Sequence, residues 1–195
     1  MTRGLAQNHG GFTLIELLLV VALISVITAI VLPQLAPTFD QQLESCGEIL
    51  VSDLDYARSL AIANGSTYRV TFDTVANAYT LTHVGSNVTL DKLPHSPFHN
   101  TDANPAQQVT SLSDLPHVGV SVTIVGAVIT GNSDTLTTFV EFGPLGETTA
   151  TQPTIIWLRA GSGVDSKYAA VRIHPITGIA AYEEPTQVTP SIPAS

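Results

Sequence analysis

The order of hydrophobic and polar positions divides the chain into three stretches. From Leu14 to Leu32, 19 consecutive positions carry one charge, Glu16, and two polar interruptions, Ser25 and Thr28. About 20 apolar residues span a bilayer as a helix, so the run predicts a transmembrane or assembly helix within residues 12–38. Pro33 and Pro37 fall just past it and predict a kink or break. Over residues 39–63 the period changes: Leu43, Gly47, Leu50, Leu54, Ala57 and Ala61 recur every three or four positions, widened by Ile49 and Leu60. Asp40, Glu44, Glu48, Asp53, Asp55 and Arg58 lie mostly off that stripe, as an amphipathic helix requires. Asn64-Gly65 supplies its stop.

After Gly65 the period is two. Residues 67–72 and 79–82 read as a hairpin with its turn through Asn77. Residues 91–117, rich in Pro, His, Asn and Asp, read as a long surface loop with little regular structure. Strands resume at 118–128, 135–142, 154–159 and 168–174, with a short one near 179–182. The turns between them carry Gly131-Asn132, Gly143-Pro144-Leu145-Gly146, Gly161-Ser162-Gly163 and Pro175-Ile176-Thr177-Gly178. Residues 185–195, with Pro185, Pro190 and Pro193, read as a disordered tail. Helix first and strands afterwards predict an α+β fold, a long N-terminal stem helix packed on a largely antiparallel sheet, with the globular domain over residues 39–184.

Composition changes the picture in three places. Mean hydropathy is +0.28 and the formal net charge −9. Arg3 precedes residue 12 and every acid follows it, so a chain starting there is more acidic still. An acidic surface repels phosphate backbones, so no nucleic-acid partner is expected, and membrane attachment must come from the apolar run. Cys46 is the sole cysteine; it cannot form an internal disulfide and reads as a small buried or half-buried helix residue. No internal repeats occur.

Glu16 is the position that needs a reason. A carboxylate inside an apolar helix costs roughly 2.5–3.5 kcal/mol on insertion scales, so it points to function and to a partner. A secretory signal would have a shorter apolar core and a small-residue cleavage site, and Ala-x-Ala is absent. A plain anchor leaves Glu16 unexplained. The polar stretch Met1–Gly11 carries Arg3 and no acid, which places it on the cytoplasmic side. The segment Gly10-Gly11-Phe12-Thr13-Leu14-Ile15-Glu16-Leu17, followed by the apolar run, closely resembles the type IV prepilin cleavage and methylation motif. The resemblance implies a leader over residues 1–11, cleavage by prepilin peptidase between Gly11 and Phe12, N-methylation of Phe12, and an assembly role for Glu16. Cleavage would create a cationic amine at Phe12, one helical turn from Glu16, able to pair within a chain or with a neighbouring subunit.

Further along, Ala57-Arg58-Ser59-Leu60-Ala61-Ile62, Phe142-Gly143-Pro144-Leu145-Gly146 and Thr177-Gly178 resemble the GspH/FimT group of minor pseudopilins and minor pilins. That resemblance implies a structural subunit of the type II secretion pseudopilus. It would sit in the bacterial inner membrane with one span and a periplasmic C-terminal domain, and its partners would be other pseudopilins or pilins, prepilin peptidase and inner-membrane lipid. The alternative is a FimT-like minor pilin serving motility, adhesion or DNA uptake. An anchored extracytoplasmic binding domain, recognising its ligand through loop 91–117, is a third reading.

No catalytic residues and no cofactor are expected. Ser, His and Asp are present without a Gly-x-Ser-x-Gly arrangement, and the glycines at 161–163 lack the helix and lysine of a phosphate loop. His95 and His99 near Asp91 and Asp102 have ordinary spacing for solvated loop residues, so no metal is expected. Arg58 can pair with Asp53, Asp55 or a neighbouring subunit, and reads as half of a surface ion pair.

Overall fold

The computed structural model describes residues 12–31, 38–94, 104–115 and 122–193, and the chain forms two compact units, residues 1–37 and 38–195. In the first unit, α1 spans Leu14–Val31. Thr13 opens it: its hydroxyl accepts the Glu16 N–H at 3.3 Å and its carbonyl the Leu17 N–H at 3.2 Å. Ser25 and Thr28 donate their hydroxyls to the carbonyls of Val21 and Ile24, at 2.7 Å each. Both donors are thereby satisfied inside the helix, the arrangement that lets a hydroxyl sit among apolar side chains. Among the described residues no helix is long and apolar enough to cross a membrane. At about 1.5 Å per residue α1 covers about 27 Å, against a hydrocarbon core of about 30 Å. Gly11, Pro33 and Pro37, with the leader and the kink assigned to them, lie outside the described residues.

The second unit begins with α2, Phe39–Asn64. A capping box starts it: the Thr38 hydroxyl accepts the Gln41 N–H, and the Gln41 side chain accepts the Thr38 N–H at 3.0 Å. It ends with Gly65 in the left-handed region and the Ser66 N–H bonded to the Ala61 carbonyl, a closure that satisfies the last carbonyls. Among the described residues nine strands follow: β1 Tyr68–Asp73, β2 Ala78–His83, β3 Gln107–Ser111, β4 Val122–Ile129, β5 Thr135–Thr137, β6 Phe139–Phe142, β7 Thr154–Ala160, β8 Lys167–Ile173 and β9 Ala180–Thr186. They build two antiparallel sheets, in the orders β3-β2-β1-β6 and β5-β4-β7-β8-β9. The α+β class with a helix packed on antiparallel sheets is therefore as the sequence implies.

The buried stripe of α2 is Leu43, Cys46, Gly47, Leu50, Leu54, Ala57, Leu60 and Ala61. It joins one core with side chains from both sheets, among them Val70 and Phe142 from the first and Ile156, Leu158, Val171 and Ile173 from the second. Burial of each such leucine or isoleucine contributes about 1.5–3 kcal/mol. Gly47 leaves room for the Tyr182 ring of β9; a Cβ there would stand 2.2 Å from its Cδ2.

Three expectations are corrected. The single strand over 135–142 is two strands in different sheets, divided at Thr138. The Thr137 hydroxyl accepts the Phe139 N–H at 3.3 Å and donates to the Phe139 carbonyl at 2.9 Å, and this local pairing competes with a continuous ladder. The loop 91–117 contains β3, which pairs with β2 in the register Leu81↔Gln108 and Tyr79↔Thr110. Its residues 95–103 and 116–117 lie outside the described ones. The segment read as a disordered tail starts inside β9, which runs through Pro185 to Thr186. Proline is tolerated there because β9 is an edge strand with a register shift between Tyr168 and Ala170 of its neighbour. Residues 187–193 have no regular structure, yet Ile192 lies over Gly126 of β4, 3.8 Å from the point where a Cβ would stand.

Candidate functional site

Two groups of residues carry the functional reading, one in each unit. In the first, Phe12 precedes α1 and is exposed, and Glu16 lies in the first helical turn. An acid at that position faces the positive end of the helix dipole, worth about 0.3–1 kcal/mol, and its own N–H is capped by Thr13. Among the described residues nothing donates to the Glu16 carboxylate. The helix start therefore tolerates the charge without consuming it, and leaves its oxygens available to a cation.

The second group is built around Arg58. The structure does not make it a surface partner of Asp53 or Asp55. Its Nε donates to the Thr177 carbonyl at 2.6 Å and to the Gly146 carbonyl at 3.3 Å. One side chain on α2 thus holds the turn that follows β6 and the turn between β8 and β9. The turns are also tied to each other: the Thr148 N–H donates to the Pro175 carbonyl at 2.8 Å, and its hydroxyl to the same oxygen at 3.3 Å. Gly146 and Gly178 have φ of +84° and +63°, the region that disfavours any Cβ. Space reinforces the point: a Cβ on Gly178 would strike the Gly146 carbonyl, and one on Gly146 would press on Ile62 and Arg58. The three segments singled out in the sequence, around Arg58, Gly146 and Thr177-Gly178, therefore meet at one place. What the sequence could not show is that the arginine bonds to carbonyls of distant turns; a charged side chain amid acids reads as half of an ion pair.

Other polar groups meet without the sequence signalling it. His83 Nδ1 lies 2.7 Å from Asp91 Oδ1, and its Nε2 lies 2.7 Å from Ser66 Oγ. The order Asp-His-Ser is that of a hydrolase relay, but the surroundings oppose acyl transfer. Ser66 follows the carbonyl end of α2, where the helix dipole repels a developing oxyanion. The His83 side chain is wholly buried beneath Tyr68, whose ring meets it edge-on at 5.0 Å. The chain of bonds fastens the end of α2 to β2 and to the turn holding Asp91. Asp91 is thus engaged by His83; His95, His99 and Asp102 lie outside the described residues. Among the described residues no group of metal-ligating side chains gathers.

On the helix side, the Tyr79 hydroxyl donates to Asp53 Oδ2 at 2.6 Å. Burial, then the Asp53 charge, push the Tyr79 hydroxyl well above its ordinary range. Cys46 is buried as expected, and burial lifts its thiol from 9.0 to about 12, which makes it inert as a nucleophile. Burial also raises Tyr182, followed by the charges of Glu44, Asp40 and Glu48, to about 12.

Comparison with known proteins adds two family matches. Residues 6–32 match the prokaryotic N-terminal methylation motif, and residues 48–177, two thirds of the chain, match the type II transport protein GspH pattern. No curated protein matches the sequence. Among solved structures, the minor pseudopilin EpsH from the type II secretion system of Vibrio cholerae is similar in fold, with 13% identity and a TM-score of 0.52. The similarity covers 78% of this chain and all of that one. The type IV minor pilin FimU of Pseudomonas aeruginosa aligns at 14% identity over 72% of this chain and 87% of that one, with a TM-score of 0.46.

Two outcomes are expected for the isolated chain. Arg58→Ala should lower unfolding stability by about 1.5–3 kcal/mol in urea titrations, because it leaves hydrogen-bonded carbonyls without their charged donor. In a double-mutant cycle with Asp55→Asn the effects should add within about 0.5 kcal/mol; strong coupling would restore the surface ion pair. For pH, Cys46, Tyr79 and Tyr182 all hold their protons more tightly when folded. Unfolding therefore releases protons at alkaline pH, so their stability is fully present below about 9 and falls as pH rises beyond it. Cys46→Ala should move the start of that decline upward toward 10, read as the urea midpoint against pH.

Proposed function

The chain belongs to the type II transport protein GspH family, and on that premise we propose that it is a minor pseudopilin of the type II secretion pseudopilus, cut between Gly11 and Phe12 and assembled through its N-terminal helix. The family is one of structural subunits, so the work is mechanical rather than catalytic. The observation that carries the reading is the pairing of a methylation motif over residues 6–32 with an uncompensated Glu16 at the start of α1.

In this reading residues 1–11 form the leader and residues 12–38 the stem, which enters the inner membrane with the globular domain in the periplasm. Prepilin peptidase removes the leader, and methylation leaves a cation at Phe12. The Glu16 carboxylate then takes the terminal amine of a neighbouring stem as its partner. A buried ion pair adds little net stability, but a stem displaced by one register leaves a carboxylate unpaired in an apolar bundle. The cost of breaking one such pair is about 3–5 kcal/mol. Glu16 therefore selects register during assembly, while the apolar remainder of α1 supplies non-directional packing.

The test separates insertion from assembly. Glu16→Leu should insert in the membrane and lose its leader as before, yet fall at least about tenfold in sheared filament fractions, the equivalent of 1.4 kcal/mol. Normal incorporation would sink the pairing role. Deletion of the gene should reduce exoprotein release and leave twitching unchanged; the opposite result assigns the subunit to a type IV pilus.

A further inference from the structure

Ile156, Leu158 and Ala160 of β7 point into the core, as do Val122 and Ile124 of β4 and Ala169, Val171 and Ile173 of β8. Side chains alternate along a strand, so Thr123, Arg159 and Tyr168 share the opposite, outer face of the second sheet. The register sets them in one row: Thr123 stands across from Arg159, Arg159 from Tyr168, and Tyr168 from Thr186 of β9. Among the described residues, Arg159 Nε and Thr123 Oγ1 are both buried and neither has a hydrogen-bond partner. Residues opposed in an antiparallel pair lie about 5 Å apart at Cβ. The two orphaned groups therefore stand side by side without bonding each other.

The other described arginines are not left so. The Nε of Arg58 donates to two carbonyls, that of Arg69 to Glu141 and that of Arg172 to Glu183. No ion pair among the described residues includes Arg159, in a chain with 16 acids and 7 basic residues. A charged donor buried without an acceptor is costly, and an occupant that accepts its proton removes the cost. The chain past β9 shelters the row. It leaves the sheet at Thr186, across from Tyr168, and Ile192 lies over Gly126 of β4, so residues 187–193 cross this face. Arg159 as a whole is only half-buried, which leaves a ligand a way in.

The donors define the occupant. A guanidinium N–H beside a hydroxyl offers two donors and one positive charge, the complement of an oxyanion with two oxygens in one plane. The row itself carries no acid, and Glu183, across from Ala170 on the same face, is taken by Arg172. A multiply charged anion meets the formal charge of −9 as repulsion, which favours a singly charged carboxylate over a phosphate. We propose that Arg159 and Thr123 form a binding site for a carboxylate on the outer face of β4 and β7. Arg159 supplies the charge and donates Nε–H to one oxygen; the Thr123 hydroxyl donates to the other. A small free acid and a glutamate or aspartate side chain of a peptide present the same two oxygens. The site is independent of the subunit role proposed above, and either can fail alone.

The experiment uses the full chain, isotopically labelled, in non-ionic detergent micelles. Its arginine Nε–H resonances are followed while sodium acetate is added, with sodium chloride at equal ionic strength as control. The Arg159 resonance should shift and saturate with a dissociation constant of about 10 mM or below, while that of Arg58, held by carbonyls, stays in place. The rise of melting temperature with acetate reports the same binding in variants. Arg159→Lys keeps the charge but loses the fork, and should weaken acetate at least about tenfold. Thr123→Val should weaken it at least about threefold, yet leave the melting temperature without acetate unchanged or higher, because it removes an unmet buried hydroxyl. A blocked peptide with one glutamate then identifies the source: tighter binding than acetate assigns a peptide side chain, weaker binding a free acid. No saturable shift, a shift matched by chloride, or tighter binding of inorganic phosphate than of acetate overturns the proposal. So does acetate binding that both substitutions leave unchanged.

Discussion

One stripe of one helix carries the globular unit. Leu43, Leu50, Leu54, Ala57 and Ala61 of α2 are fully buried, and no sheet could bury its own inner face without them. The first sheet adds Val70 and Phe142 to the core built on that stripe, and the second adds Ile156, Leu158, Val171 and Ile173. The constraint explains the smallest details along the helix. Gly47 exists to admit Tyr182, and Cys46 is a small apolar residue whose thiol has no chemistry to perform.

The same helix also fixes what lies outside the core. Arg58 projects from its last turns to two carbonyls 88 and 119 residues away in sequence, so loops formed late in the chain are set by a residue in its first third. This is a polar counterpart of the buried stripe. It brings together three short segments that each seem to be separate turn or helix signals. A structural subunit needs such rigidity because its surface must meet a partner in one orientation many times over.

Much of this was legible in the residues. The three-to-four spacing of α2, the hairpin around Asn77 and the strands expected at 154–159 and 168–174 follow from periodicity, since each buries apolar side chains in the core; the apolar run shows itself by length alone. The places where the sequence misled share a cause: a polar side chain bonded to something far off or to its own backbone. Thr137 bends the chain between β5 and β6 by pairing with Phe139. Gln107–Ser111 has too little apolar character to announce a strand, and becomes one because β2 offers an open edge. Pro185 suggested an end to order, yet an edge strand absorbs it. Arg58 suggested an ion pair because nothing in a sequence reveals a carbonyl.

At the other end of the chain, the single carboxylate of α1 remains the feature that most demands an explanation from assembly. Glu16 is held in the first helical turn with its oxygens unengaged among the described residues. A cation created at Phe12 by removal of residues 1–11 is the partner the account supplies. The most direct measurement is the mass of the amino-terminal peptide of the chain isolated from cells that contain prepilin peptidase. The account expects a peptide starting at Phe12 and carrying one methyl group. A peptide starting at Met1, with the leader intact, would contradict it.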